Sequence, residues 1–231
     1  MLLLAGLAGV TVFIGGVLAW FFNHHIEETP IKYEITHTVT AFGGGVLFSA
    51  VALVLIPKGM EQLSLWSLAI SFLLGAVLFA WLDQMLSTRV GKLANLLAML
   101  LDFIPESIVL GAVFTMSKST ATLLALFIGL QNLPEAFNSF RDMVTSGFKV
   151  KRTLFMFAAI SCFGVLGALL GFFVLSDLPD ITAHLMVFAS GGILYLIFQD
   201  IAPQSKMENV WFVPLGATSG FLVGIIGEML I

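Results

Sequence analysis

Residues 93–116 read LANLLAMLLDFIPESIVLGAVFTM, an apolar stretch long enough to cross a bilayer that carries two carboxylates near its centre. Asp102 and Glu106 lie four residues apart, and Pro105 directly precedes the second of them. An ionisable group in hydrocarbon costs on the order of a few kcal/mol, so it normally faces a cavity, a pathway or a partner. This stretch therefore predicts a membrane helix with a polar functional face.

A second motif of the same kind, Gln131-Asn132-Leu133-Pro134-Glu135, follows 29 residues later. Residues four apart share one face of a helix, so Gln131 and Glu135 should point the same way, as should the first pair. Each proline removes a backbone hydrogen bond, so each helix should bend and free a carbonyl group beside its motif. The two motifs predict one shared polar site near the bilayer midplane.

The donor set of this site indicates its chemistry. Three carboxylates and one amide, Asp102, Glu106, Glu135 and Gln131, would suit a divalent cation. An all-oxygen set favours harder ions such as Mn²⁺ or Fe²⁺ more than a His or Cys set would, although Zn²⁺ also accepts carboxylates. The alternative is structural, with protonated carboxylates forming hydrogen bonds between packed helices.

The composition excludes an ordinary soluble domain. Hydrophobic residues make up 59% of the 231 residues and charged residues only 10%, against about a quarter in soluble domains. The mean hydropathy is +1.05. The single cysteine, Cys162, excludes an intrachain disulfide framework, and no basic run suggests a nucleic-acid partner. We expect an all-α integral membrane protein whose residues 1–231 form one transmembrane domain.

Apolar stretches predict eight transmembrane helices. They cover residues 1–22, 37–57, 65–86, 93–116, 120–142, 153–175, 181–203 and 210–231. The first lacks a basic leading segment and is too long for a typical secretory signal, so we expect it to be retained.

The distribution of Lys and Arg predicts the orientation of these helices. Most of the cations fall in the loops after the first, third, fifth and seventh stretches: Lys32, Arg89, Lys92, Arg141, Lys149, Lys151, Arg152 and Lys206. Only Lys58 and Lys118 fall on the other side. By the positive-inside rule the odd-numbered loops are cytoplasmic, and both termini lie outside the cytoplasm.

Glycine and proline positions suggest an internal repeat. Residues 41–47 resemble residues 187–193, and the same offset of 146 aligns Pro57 with Pro203. The two stretches would cross the membrane in opposite senses, as transporter repeats often do. The first three and last three helices would then form inverted halves around a central pair, a 3+2+3 arrangement.

The two motifs resemble those of a known family, the Zrt/Irt-like (ZIP) divalent metal transporters. The fourth span of that family typically reads His-Asn-x-Pro-Glu-Gly, and the fifth carries a related x-Pro-Glu or x-Pro-His motif. The glycine-rich second span and residues 188–203 are also similar to the family's spans two and seven, so the resemblance covers almost the whole chain. It implies a secondary transporter of divalent metals (the Zn, Fe, Mn and Cd class) toward the cytoplasm, with an elevator-like movement of helices.

Carried over residue by residue, the resemblance implies metal ligands at Asp102, Glu106, Gln131 and Glu135, and weaker candidates at Asn132, Gln199 and Asp200. The chain departs from the family pattern at two positions of the first motif. Asp102 replaces the usual His, and Phe103 replaces the Asn that would complete a second metal position. The sixth predicted span also has no acidic residue. We therefore expect a bacterial-type member with a degenerate second metal site and one transported ion.

The remaining expectations follow from the same interpretation. The metal is a substrate, no prosthetic group is expected, and the partners are membrane lipid and a second copy in a homodimer. The location would be the plasma membrane of a bacterium or archaeon. An enzyme is not expected, because neither His-Glu-x-x-His nor Gly-x-Ser-x-Gly occurs. The alternative function is a proton-coupled carrier of another small solute that uses the same carboxylates as titrating groups.

Overall fold

The computed structural model describes residues 1–27, 29–89, 94–207 and 210–230, and the regular structure within these ranges is helical throughout. Lys92, used above for orientation, lies outside the described residues, as does the side chain of Arg89. The helices are α1 (Leu2–His25), α2 (Pro30–Gln62), α3 (Leu65–Arg89), α4 (Ala94–Met116), α5 (Lys118–Thr145), α6 (Val150–Leu175), α7 (Pro179–Gln204) and α8 (Phe212–Leu230).

Seven of these helices are long and apolar enough to cross a membrane, and α5 is the described helix that does not meet this standard. Its 28 residues are sufficient in length, but they include the second motif and the polar residues Asn138, Arg141 and Asp142. The predicted membrane protein with several apolar spans is confirmed. The crossing by α5 is taken up under the proposed function.

Helix α2 begins seven residues before the predicted start of its span, at Pro30 rather than residue 37. The side chain of Thr29 caps the helix by accepting a hydrogen bond from the Lys32 N–H at 3.2 Å, and Pro30 suits the first turn. The Lys32 side chain is buried; its ammonium donates to the Ile26 carbonyl at 2.9 Å and lies 5.5 Å from the centre of the Phe22 ring. The predicted loop cation therefore joins α2 to α1.

The helices group into two bundles. Helices α1, α4, α5 and α6 pack together as the first bundle, and α2, α3, α7 and α8 form the second, in which α2 packs most closely on α8 and α3 on α7. The bundles meet where α2 packs against α5 and α4 packs against α7. Both motif helices therefore belong to the first bundle and face the second.

Glycines bring the helices of the second bundle into backbone contact. Gly75 of α3 lies against the carbonyl oxygen of Phe188 in α7, and Gly220 of α8 lies against that of Phe42 in α2. A methyl group at either glycine would overlap the facing oxygen. The two contacts correspond, because Phe42 and Phe188 are 146 residues apart and the two glycines are 145 apart.

A second pair of contacts corresponds in the same way. Gly45 of α2 lies against the carbonyl of Ala217 in α8, and Gly191 of α7 lies against that of Phe72 in α3. These two glycines are 146 residues apart, and the residues they face, Phe72 and Ala217, are 145 apart. The contacts that join α2 to α8 therefore recur between α7 and α3.

Two segments of π-helix lie at matched places in α2 and α7. They cover Ala50–Leu55 and Ile197–Ile201, and each is followed two residues later by a proline, Pro57 or Pro203. Proline lacks an N–H and its ring clashes with the preceding turn, so the hydrogen bonding there must adjust. Within the second segment, Asp200 and Ile201 line the cavity beside the motif helices, whereas Phe198 and Gln199 are exposed.

Candidate metal centre

The four principal candidate residues lie together between α4 and α5. Asp102, Glu106 and Gln131 are buried, with exposed fractions of 4%, 5% and 0%. Glu135 is half-buried, but both of its carboxylate oxygens are buried. Both helices continue through their prolines, so each pair spaced four apart projects from one face, as the sequence predicts.

Among the described residues, only some of the polar atoms of these four side chains form hydrogen bonds. The amide Nε2 of Gln131 donates to Oε2 of Glu106, and Oδ1 of Asp102 accepts from the Phe103 N–H at 3.1 Å. Among the described residues, Gln131 Oε1 and both carboxylate oxygens of Glu135 are buried without a hydrogen-bond partner. A buried oxygen without a partner costs about 1–3 kcal/mol, so this arrangement is suited to receiving a donor or a cation.

The side chains do not form a closed cation cage. No group of three His, Cys, Asp or Glu residues in the described ranges is close enough together to hold a metal ion. Neighbouring carboxylates repel one another when no cation lies between them. Metal coordination would therefore require the carboxylates to move together and Gln131 to turn its oxygen, rather than its NH₂ group, toward the ion.

A cavity of about 70 Å³ opens beside the carboxylates between the two bundles. We call it the site cavity; Asp102, Glu135, Thr40 and Asp200 contribute polar groups to its wall. The other lining residues are Gly44, Met99, Pro134, Asn138, Ser139, Leu196, Ile201 and Gln204. A space of this size holds several water molecules, so a partly hydrated cation can reach the carboxylates from this side.

A larger cavity of about 440 Å³, the vestibule, continues from the site cavity toward the Thr145 end of α5. The two cavities share Thr40, Asn138 and Gln204. The vestibule is also lined by Tyr33, Thr36, His37, Arg141, Asp142 and Thr145. A polar route therefore leads from the carboxylates to one face of the protein.

The opposite side of the carboxylates is packed with apolar groups. Beyond Glu106, toward the Lys118 end of α5, the described residues enclose a space of about 10 Å³. Its walls are formed by Ala50, Leu55, Val109, Leu124, Phe127, Ile128 and Ala189. The site is thus open toward one face of the protein and closed toward the other.

The three weaker candidates lie in different surroundings. Asn132 is buried beside the motif and neither amide atom has a partner among the described residues. Asp200 lines the site cavity, whereas its neighbour Gln199 is exposed and does not line it. Consecutive residues of a helix point in different directions, and both of these lie in the π-helical segment Ile197–Ile201, which separates the two side chains.

Phe103 occupies the position where the resemblance leads us to expect a metal-binding asparagine. It is 1% exposed, and its ring packs against Gly164 of α6. The ring fills the space between α4 and α6, where α6 has no acidic side chain. Neither Phe103 nor α6 therefore supplies a carboxylate or amide side chain for a second ion.

Two polar groups near the site have no motif to mark them in the sequence. Asp83 of α3 accepts a hydrogen bond from the Tyr195 hydroxyl at 3.2 Å and lies near enough to Asp200 for their charges to interact. Gln204 lines both cavities at the end of α7. In the sequence, the feature that could have drawn attention to Asp83 is its position as an isolated acidic residue inside an apolar stretch.

Comparisons with known proteins test whether a known family shares this arrangement. A search of curated proteins found no match. The family model described as ZIP zinc transporter matches residues 82–231, which include both motifs, the site cavity residues of α4, α5 and α7, and most of the chain. Members of this family are transporters of metal ions rather than enzymes. The chain therefore belongs to the ZIP zinc transporter family.

Proposed function

We propose that the protein carries divalent transition-metal cations of the Zn, Fe, Mn and Cd class across the membrane toward the cytoplasm. Asp102, Glu106, Gln131 and Glu135 bind the cation as substrate, and no prosthetic group takes part. The principal support is the buried carboxylate of Glu135, whose two oxygens have no partner in the described structure and which borders the site cavity. A divalent cation would satisfy these oxygens and offset the repulsion between neighbouring carboxylates.

We also propose that the chain crosses the membrane eight times, with α5 as the fifth span. Its central position supports this, because α5 packs against α1, α2 and α4 and buries the second motif. A polar membrane helix is stable when its polar side chains face protein or a cavity rather than lipid. The vestibule then opens to the cytoplasm, both termini lie outside it, and the plasma membrane of a bacterium or archaeon is the proposed location.

We also propose that α1–α3 and α6–α8 are inverted repeats around α4 and α5. The paired glycine contacts, which recur at an offset of 145 or 146, and the two π-helical segments, which end 146 residues apart, support this arrangement. In transporters, repeats of this kind commonly form two assemblies that move against each other around a central site. The site cavity is lined by both bundles, so an elevator-like displacement of the first bundle would change the face to which it opens.

We propose that the site between α4 and α5 holds one ion at a time. The oxygen ligands cluster on α4 and α5, whereas Phe103 and α6 offer an apolar surface on the far side. Asp200 is placed to receive the ion as it leaves through the site cavity. Asn132 supplies a neighbouring amide that assists binding.

The proposed assembly is a homodimer surrounded by lipid. Helix α3 supports this proposal because much of its apolar surface is exposed, including Leu65, Trp66, Leu73, Val77 and Trp81. Such side chains suit lipid or a second copy of the chain.

Purified protein should bind one divalent metal ion per chain and take it up saturably in proteoliposomes. Calorimetric titration with Zn²⁺, Mn²⁺, Fe²⁺ and Cd²⁺ measures the stoichiometry, and uptake in competition ranks the ions. A proton-coupled carrier of another solute would leave no specific metal binding in the titration. Two metals bound per chain with similar affinity would contradict the single-ion proposal.

Replacing Asp102 with His should shift metal preference toward Zn²⁺. Imidazole nitrogen is a softer ligand than a carboxylate and binds Zn²⁺ readily, whereas Mn²⁺ favours oxygen. The ratio of Zn²⁺ to Mn²⁺ uptake should rise by about tenfold relative to the unsubstituted protein, a change of about 1.4 kcal/mol in relative binding. An unchanged ratio in an active D102H variant would show that Asp102 does not determine selectivity.

A further inference from the structure

Two hydrogen bonds join the two bundles along the vestibule. Asn138 Nδ2 of α5 donates to Thr40 Oγ1 of α2 at 2.6 Å, and Arg141 Nη1 of α5 donates to Thr36 Oγ1 of α2 at 3.0 Å. The threonines are four residues apart and their partners three apart, so each pair lies on one helix face. We call these four side chains the clasp.

The threonine hydroxyls are well suited to this role. Thr36 donates to the Lys32 carbonyl at 2.9 Å and Thr40 donates to the Thr36 carbonyl at 3.0 Å, both within α2. Each hydroxyl has one proton, which these bonds occupy, so its oxygen is left to accept from α5. Both threonines are buried, at 7% and 8% exposed.

An aromatic contact supports the charged member of the clasp. The Arg141 guanidinium lies 5.9 Å from the centre of the Phe137 ring, and that ring packs edge-on against Phe22 at 5.4 Å between centroids. The stack restricts the position of the Arg141 side chain along the wall of the vestibule.

The corresponding positions at the closed side of the site are mostly apolar. With the offset of 29 between the motifs, Asn138 and Arg141 correspond to Val109 and Ala112; with the offset of 146, Thr40 corresponds to Met186. All three counterparts are buried. The clasp is therefore confined to one half of a matched pair of helix interfaces, and apolar packing takes its place in the other.

Among the described residues, the remaining counterpart forms no side-chain hydrogen bond across the interface. Thr36 corresponds to Thr182, whose hydroxyl lies 3.1 Å from the Leu178 carbonyl and 3.2 Å from the Leu175 carbonyl. Both acceptors precede Thr182 in the chain rather than belonging to a motif helix. Within the part of the chain that the structure describes, the counterpart of the clasp thus has no side-chain hydrogen bond to α4.

We propose that the clasp is a positioning device that stabilises the conformation open through the vestibule and thereby sets the balance between the two access states. Its bonds join helices of different bundles, so a displacement that opens the Lys118 side must break them, whereas apolar contacts at the other end can re-form with shifted partners. The inference rests on the proposed transport function. Losing both bonds should raise the population open at the Lys118 side by about tenfold or more.

Cysteine labelling tests this without measuring transport. In a Cys162→Ser background, Leu124→Cys reports access beside Glu106 from the Lys118 side, and Gln204→Cys reports access through the vestibule. The double variant Thr36→Val/Thr40→Val keeps side-chain shape and removes both acceptors. A membrane-impermeant maleimide should label Leu124→Cys at least about tenfold faster in this variant and label Gln204→Cys no faster than before.

Matched substitutions separate the clasp from a general loosening of α2. Thr36→Ser/Thr40→Ser retains both hydroxyls and should restore the slow labelling of Leu124→Cys. Thr38→Val removes a hydroxyl that donates only within α2, to the Glu34 carbonyl at 2.8 Å, and should also leave the slow rate unchanged. An equal rise with Thr38→Val would overturn the proposal.

The α5 partners provide a second route if the valine variant does not fold. Asn138→Leu/Arg141→Met should accelerate labelling to a similar extent, and combining it with the valine pair should add little. Unchanged labelling in a folded variant, or full additivity, would refute the clasp. Because labelling needs no metal, a protein that shows these changes but takes up no metal would refute the proposed function alone.

Discussion

Replacing Glu135 with Gln should reduce metal uptake by about tenfold or more while leaving the protein at least as stable as before. The substitution keeps the size of the side chain but removes the carboxylate proposed as a direct ligand. Loss of a side chain that only orients a metal ligand already lowers affinity or activity by about 10–100-fold, so loss of a direct ligand should have at least a comparable effect. In the metal-free protein the two oxygens of Glu135 are buried without partners, so removing this charge should not lower stability.

Uptake by proteoliposomes and thermal unfolding without metal measure the two effects. Glu61→Gln provides the matched control. Glu61 is exposed, forms an ion pair with Lys58 at 3.3 Å, and is far from both motifs in the sequence. Uptake by the control should equal that of the unsubstituted protein. Normal uptake by a folded E135Q variant would remove Glu135 from the proposed site.

Replacing Gly75 with Ala should lower the free energy of unfolding by about 3 kcal/mol and the melting temperature by roughly 10 °C. The added methyl group would overlap the Phe188 carbonyl oxygen, so α3 and α7 would have to separate. Backbone atoms cannot rotate away as a flexible side chain can, which is why the cost is large. Gly220→Ala should have a similar effect, because Gly220 has the corresponding contact with Phe42.

Gly6→Ala is the control for helix propensity. Nothing lies within 4 Å of the added methyl group at this position of α1, so the substitution should be neutral or stabilising by up to about 1 kcal/mol. Melting of the three variants in one detergent or lipid preparation gives the comparison. A G75A protein that melts within about 1 °C of the unsubstituted one would show that the contact between α3 and α7 is not tight.

The helices follow closely from the sequence, because a membrane span must be apolar over a fixed length and charged residues end it. The start of α2 could not be placed this way. Its first turns, from Pro30, contain Lys32 and other polar residues, and they are helical because Thr29 caps them and Lys32 is satisfied by the end of α1. The cap is a local hydrogen bond and the buried cation depends on a contact between two helices, and hydropathy describes neither.

The two motifs could be recognised because polar residues in apolar spans are rare and their spacing defines a helix face. The hydrogen bonds that polar residues near the site form with other helices could not be recognised from the sequence. Asn138 and Thr40 are 98 residues apart in the chain, and Asp83 and Tyr195 are 112 apart. The sequence also could not decide which of Gln199 and Asp200 faces the cavity, since both lie in a π-helical segment whose wider turn alters the register.

The short connection between α6 and α7 limits the mechanics of the molecule. Helix α6 ends at Leu175 in the first bundle and α7 begins at Pro179 in the second, so residues 176–178 tether one bundle to the other. A fully extended chain over these four steps reaches at most about 14 Å. Any stroke that carries those helix ends further apart must unwind a helical turn, so this tether sets an upper bound on rigid travel between the bundles.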